Sequence, residues 1–190
     1  MTGKVDWQWK LREATDTLKA RYDQIGRKSG APFLAIIYPP EAEAAVLKEW
    51  HVLASTLSPE FEVLTVDVLD ATSEAVEGIG CENVVDALAN PMPGSNPRTD
   101  LAVMWLDAVA GRIKASVAGA SKGKPIVCIE AVSALYPVAG PRDLMQRLWD
   151  SDDRTLSAPI VFLIPGTLSE RKVYSFLNCR DELMYRGDIL

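Results

Sequence analysis

Pro125-Ile126-Val127-Cys128-Ile129-Glu130 and Pro159-Ile160-Val161-Phe162-Leu163-Ile164 are two apolar runs, each opened by a proline. The first ends on Glu130 and the second on Pro165-Gly166. Short runs rich in Ile and Val and bounded by turn signals are the pattern of strands covered on both faces. Parallel pairing needs a crossover between them, and the intervening stretch supplies one. Ala131 to Gly140 reads as a turn, after which Pro141 takes the first helical position, with Asp143 behind it and Leu144, Met145, Leu148 and Trp149 at helical spacing. The end of the chain is therefore a β-α-β unit, with Asp150-Ser151-Asp152-Asp153-Arg154 as a solvated connection and Pro165-Gly166 as the turn that stops its second strand.

The same alternation extends upstream. Phe33 to Tyr38 is an apolar strand stopped by Pro39-Pro40, and Glu41 to Leu57 is the helix that follows, with Val46, Trp50, Leu53 and Leu57 on one face. Glu41 and Glu43 fall in its first turn, where the helix dipole favours a negative charge. Phe61 to Val68 is a second strand, with Asp67 or Asp70 at its carboxyl end. From Ala71 to Ala89 the pattern is helical but broken at Gly78-Ile79-Gly80, with Val84, Val85 and Leu88 on the expected buried side. Three prolines and a glycine between Pro91 and Pro97 forbid regular structure. A helix with Leu101, Trp105, Val109, Ile113 and Val117 on one face then leads to the strand at Pro125. Trp7, Leu11, Ala14, Leu18, Tyr22 and Ile25 give an N-terminal amphipathic helix over 6–25, stopped by Gly26 and the Arg27-Lys28-Ser29-Gly30 linker. At the other end, a short element at Tyr174 to Leu177 and an edge strand at Met184 to Leu190 are expected. Strands alternating with helices predict an α/β three-layer sandwich around a mainly parallel sheet of about five strands, formed by residues 1–190 as one domain.

Composition narrows the function classes. The chain has 190 residues, 48% of them hydrophobic, and no stretch approaches the length of a membrane span. Its N-terminus runs into charged helical sequence with no apolar signal core, so a cytoplasmic location is expected. Cys81, Cys128 and Cys179 are far apart and odd in number, which points to reduced thiols. A Cys-His nucleophilic pair would have to use His51, the single histidine, and the sequence offers no orienting carboxylate at obvious spacing. The net charge of −6 is unevenly spread: +3 over residues 1–30, −10 over 31–100 and +1 over 101–190. Such a chain lacks the basic stripe that neutralises phosphates, so no direct nucleic-acid binding is expected. Its acidic middle reads as a solubilising surface or as a face for a basic partner.

Gly119-Ala120-Ser121-Lys122-Gly123-Lys124-Pro125 looks like a phosphate loop and fails as one. Its glycines are one residue too close, Pro125 replaces the magnesium-holding Ser or Thr, and the segment enters a strand instead of leaving one for a helix. After the first strand, Pro39-Pro40 remove amides that would face a phosphate, and Glu41 and Glu43 occupy the helix start where an anion would bind. Glu130 reads as a strand-end carboxylate bonded to local backbone, or as the remnant of a metal- or water-positioning group. Asp67 with Asp70 reads as a surface turn or as a carboxylate pair.

Four segments carry a family resemblance: Ala131-Val132-Ser133-Ala134-Leu135-Tyr136-Pro137, the run from Pro159 to Thr167, Tyr174-Ser175-Phe176-Leu177, and Met184-Tyr185-Arg186-Gly187-Asp188-Ile189-Leu190. Together they resemble the BrxB family of bacterial BREX phage-defence systems, over about a third of the chain. The resemblance implies a layout similar to RecA-like and AAA-type ATPases, a P-loop NTPase-like fold without the phosphate loop. It also implies a non-catalytic role, with no cofactor or metal, through contacts with a PglZ-type alkaline-phosphatase-like protein or a BrxX-type methyltransferase. A degenerate nucleotide-binding regulatory domain and a small stand-alone enzyme are the other function classes, the latter without a nucleophile-base constellation to support it. Partner-binding residues are expected in two places: Trp7 and Trp9 on the N-terminal helix, and Tyr136, Pro137, Pro165, Gly166, Tyr185 and Arg186, gathered at the carboxyl edge of the sheet. Tyr185 and Arg186 read equally as a contact surface or as a core cap and its ion pair.

Overall fold

A computed structural model describes residues 6–25, 30–151 and 156–190. The expected helix stop at Gly26-Arg27-Lys28-Ser29, and Asp152, Asp153 and Arg154 of the acidic connection, lie outside these residues. In chain order the main elements are α1 (Asp6–Arg21), β1 (Phe33–Tyr38), α2 (Glu43–Ser55), β2 (Phe61–Asp67), α3 (Val68–Ile79), α4 (Cys81–Ala89), α5 (Pro97–Gly119), β3 (Lys124–Glu130), α6 (Pro141–Asp150), β4 (Ile160–Glu170), β5 (Val173–Phe176), β6 (Arg180–Leu183) and β7 (Asp188–Ile189).

Among the described residues the parallel part of the sheet has the order β2-β3-β4-β1-β7, five strands as expected, and β5 and β6 extend it to seven. From β1 the chain crosses to the far edge, returns strand by strand to lie beside β1, and ends on its other side. The central strands are buried on both faces because each face has its own helical cover. On one face, Leu11, Ala14 and Leu18 of α1 and Val46 and Trp50 of α2 pack on Leu34, Ile36, Cys128, Val161 and Leu163. On the other, Val109 and Ile113 of α5 and Leu144 and Leu148 of α6 pack on Ala35, Ile37, Val127, Ile129 and Phe162. Successive residues of each strand thus alternate between two apolar cores, which accounts for runs without polar interruption.

The second of the two opening runs does not stop at Pro165-Gly166. β4 continues to Glu170, with Pro165 paired opposite Tyr38 at the end of β1 and Gly166 already paired antiparallel with Phe176 of β5. Pro165 has no N–H to give a ladder, yet its carbonyl accepts from Leu177 N. Gly166 is needed for close approach, since a Cβ there would lie 2.3 Å from Ser175 O. The pair therefore marks where one strand leaves the parallel sheet for an antiparallel ribbon whose Tyr174 and Phe176, with Met184, join the α6-side core.

The expected element at Tyr174 to Leu177 is β5, while the expected terminal strand shortens to Asp188–Ile189, parallel to β1 at its edge, with Leu190 bonded to Ala35 and Ile37 through its backbone. Gly187 (φ +102) permits the entry to that pairing. The break in the helical stretch after β2 falls at Gly80 (φ +96), which separates α3 from α4. α4 corrects the sequence reading: Val85 and Leu88 are exposed, Val84 is half-buried, and the helix has no buried residue. It sits outside the helical layer, touching α3 and α5 but covering no strand. No helix among the described residues is long and apolar enough to cross a membrane.

Candidate functional site

In an open α/β sheet, ligands bind outside the carboxyl ends of the strands, where the strand order reverses. Here that place lies between β1 and β4, and its floor is Tyr38 opposite Pro165. One strand further on, Glu130 at the end of β3 is paired in register with Asp67 at the end of β2. Pro39 and the short 3-10 turn Pro40–Ala42 carry the chain from β1 into α2, whose first residue is Glu43. Three carboxylates, Glu43, Asp67 and Glu130, thus gather along one edge.

Glu130 is the most constrained of them. It is 5% exposed, and His51 from α2 reaches it, Nε2 lying 2.9 Å from Oε1 and 3.1 Å from Oε2. Burial raises the Glu130 pKa, His51 opposes that shift, and the charge of Asp67 reinforces it. The chain leaves Glu130 through Ala131 in the left-handed region (φ 53), which turns it directly into the 3-10 segment Val132–Leu135. A non-glycine residue there is uncommon, and it pins the carboxylate at the strand end. Two readings are corrected by this geometry: Glu130 is bonded to a side chain instead of local backbone, and His51 does have an orienting carboxylate.

That partner comes from 79 positions away, beyond any spacing rule. Cys128 does not complete a nucleophilic set. Its thiol is fully buried, burial and then the charge of Glu130 push its pKa well up, and its sulfur is 3.8 Å from Glu130 Oε1. A buried protonated thiol is a poor nucleophile.

The rest of the edge is equally occupied. Burial raises the pKa of Glu43, with Asp67 adding to the shift, and the phenol of Tyr38 is raised by burial and by Glu43 beside it. Asp67 is the N-cap of α3, its Oδ1 accepting from Asp70 N at 3.1 Å, so the Asp67-Asp70 pair is a capping turn. The false phosphate loop lies at the opposite, amino edge: Ser121 N and Lys122 N both donate to Glu62 Oε2, at 2.9 and 2.7 Å. Its amides are therefore spent on a carboxylate of the chain itself. Among the described residues no group of His, Cys, Asp and Glu side chains is arranged to hold a metal ion.

The expected contact residues do not converge. Tyr136, in a cis peptide bond with Pro137, follows β3 at the carboxyl edge and is 45% exposed. Pro165 and Gly166 are buried and offer no surface. Tyr185 and Arg186 are at the amino edge, because the pairing of Asp188 with Leu34 places them beyond the start of β1, beside Phe33. There the Arg186 guanidinium stacks on Trp149 at 3.8 Å, and Tyr185 is exposed. Of the two N-terminal tryptophans, Trp7 is buried in the α1-side core and Trp9 is exposed.

A second buried carboxylate escaped the sequence reading. Glu182 of β6, 2% exposed, accepts from Tyr174 Oη at 2.8 Å and from Arg142 N, in the first turn of α6, at 2.9 Å. Arg180 Nε stands 3.3 Å from its other oxygen, an ion pair short of hydrogen-bond geometry, and Arg180 Nη2 bonds Asp143 at 3.0 Å. Burial raises the Glu182 pKa against the pull of these donors. The carboxylate fills the N-terminus of α6 with a side chain of the protein and ties the β5-β6 ribbon to that helix. The sole sequence signal was a Glu on a short strand beside an aromatic-rich one. Comparison of the chain with protein families, curated proteins and solved structures finds no match.

Proposed function

We propose that this chain is a non-catalytic component of a bacterial BREX-type phage-defence system and works by contacts with other members of that system, such as a PglZ-type alkaline-phosphatase-like protein or a BrxX-type methyltransferase. The defence context rests on the sequence resemblance. The non-catalytic role rests on one observation: the carboxyl edge, where this architecture holds anionic ligands, is filled by the chain's own groups. Pro39, Pro40 and Pro165 remove amide donors there, and Glu43, Asp67 and Glu130 set negative charge where a phosphate would lie. His51 is held on Glu130 instead of facing the edge as a free donor.

A degenerate nucleotide-binding regulatory domain is the second reading, favoured by the position of Glu130 at the carboxyl end of an interior strand. Calorimetric titration with ATP and magnesium, together with phosphate release, separates the two. The contact role predicts no saturable heat and no turnover, and co-purification with the PglZ-type or BrxX-type protein when they are co-expressed. Micromolar ATP binding with turnover abolished by Glu130→Gln would overturn it.

A further inference from the structure

α4 and its surroundings are built unlike the rest of the molecule. Each of the other α-helices buries apolar side chains in one of the two cores, whereas α4 has no buried residue and leaves Val85 and Leu88 exposed. Half of the large apolar side chains that are exposed among the described residues, namely Leu69, Ile79, Val85, Leu88, Met92 and Val103, belong to the excursion between β2 and β3. Between α4, the loop at Asn90–Ser95 and the first turns of α5 lies a groove of about 550 Å³. Its apolar lining includes Ile79, Val84, Leu88, Met92, Leu101 and Met104. Met92 is 76% exposed, more than any other large apolar side chain among the described residues. Contiguous exposed apolar surface rimmed by polar groups marks interaction sites, and methionines suit a groove that adapts to its occupant.

Charge selects the occupant. Residues 68–100 hold Asp70, Glu74, Glu77, Glu82, Asp86 and Asp100 against Arg98. Glu74 is paired with Arg112, but Asp86 and Asp100 stand in the groove wall itself, which has no cationic lining residue among the described ones. A second copy of this chain would bring the same acidic rim, and like charges facing each other oppose association. We propose that this groove docks a basic amphipathic helix presented by a partner protein. Its apolar side chains enter between Leu88, Met92 and Met104, and its Lys or Arg residues pair with Asp86 and Asp100. The inference rests on the protein-contact reading above and names the contact it uses.

The test titrates the full chain into a labelled helical peptide of leucine and lysine with the leucines on one face. The control is a scrambled peptide of the same composition with no apolar face. Saturable binding to the first peptide is expected, falling with added salt and about tenfold or more weaker for both Leu88→Ser with Met92→Ser and Asp86→Lys with Asp100→Asn. All four positions are exposed, so the variants are expected to stay folded, and the unfolding midpoint of each is measured alongside binding. Equal binding of both peptides, no binding, or binding unchanged in the variants overturns the proposal. So does a dimer in sedimentation that Leu88→Ser with Met92→Ser dissolves, which assigns the groove to a second copy. Co-purification of a system partner that survives both variant pairs removes the groove as the contact and leaves the contact role standing, whereas ATP turnover removes that role whatever the groove binds.

Discussion

His51 on α2 lies with one ring nitrogen between both oxygens of Glu130 at the end of β3, 79 positions later in the chain. The contact joins a half-exposed side chain to a buried one, with side-chain exposures of 56% and 6%. The Glu130 carboxylate is thus held between the imidazole and the buried Cys128 thiol, both of which approach its Oε1.

The pH dependence of stability follows in sign. Burial raises the folded-state pKa of Glu130, and Asp67 nearby adds to it. A carboxyl group that holds its proton more tightly when folded favours the folded state below its ordinary pKa, and that contribution is lost as pH rises through the folded value. Glu130→Gln removes the group, so the unfolding free energy of the variant, relative to wild type, is expected to improve as pH is raised from the ordinary glutamate range and to level off above the raised folded value. Urea midpoints at a series of pH values measure it, and a difference that is flat or falls with pH refutes the assignment.

Loss of Glu182 is expected to be among the most costly single changes. Glu182→Ala leaves the buried Tyr174 hydroxyl and Arg142 N without their acceptor, and leaves Arg180 with Asp143 as its remaining carboxylate contact. Breaking a buried pair from one side costs about 3 to 5 kcal/mol. Leu183→Ala, at an exposed position on the same strand, serves as the control and should stay within about 0.5 kcal/mol. Denaturant unfolding compares them directly.

Two glycines should respond in opposite directions to alanine. At Gly166 the added Cβ meets the backbone oxygen of Ser175, which cannot move without breaking the β4-β5 pairing, so Gly166→Ala should cost about 1 to 3 kcal/mol. At Gly111, in the middle of α5, a Cβ meets nothing within 4 Å, and Gly111→Ala should stabilise by about 0.5 to 1 kcal/mol. Thermal midpoints moving the same way for both would contradict this account.

The two cores were legible because they are written in local periodicity. Runs such as Phe33 to Tyr38 and Ile160 to Ile164 announce strands with both faces covered, and the step of Val109 to Ile113 announces a helix on one of those faces. Local pattern failed where a long-range partner decided the outcome. Pro165-Gly166 has the composition of a turn, yet the β5 ribbon pairs with it and keeps it extended. Val84, Val85 and Leu88 have the spacing of a core face, yet α4 is placed where no strand can receive them. The His51–Glu130 contact joins residues 79 positions apart through the fold alone, whereas Glu182 and Tyr174, eight positions apart, face each other across the β5-β6 hairpin, whose second strand no local pattern announced.

Trp7 and Trp9 separate a structural role from a surface role within one helical turn. Both were expected as contact residues, but Trp7 is 8% exposed and packs in the same core as Leu11, Leu34 and Ile36, whereas Trp9 is 57% exposed. Trp7→Ala removes a buried aromatic side chain and should cost about 3 kcal/mol or more, with a lower thermal midpoint. Trp9→Ala removes an exposed ring and should leave the midpoint unchanged. If Trp9 is part of a partner surface, its variant loses co-purification with a system partner while remaining fully folded. Because the docking groove on α4 is lined by residues of α3, α4, the following loop and α5, it shares no element with α1, so Trp9→Ala should bind the leucine-lysine peptide as wild type does. Loss of peptide binding in Trp9→Ala without loss of stability would show that the helix docks on the α1 side of the sheet, not on α4.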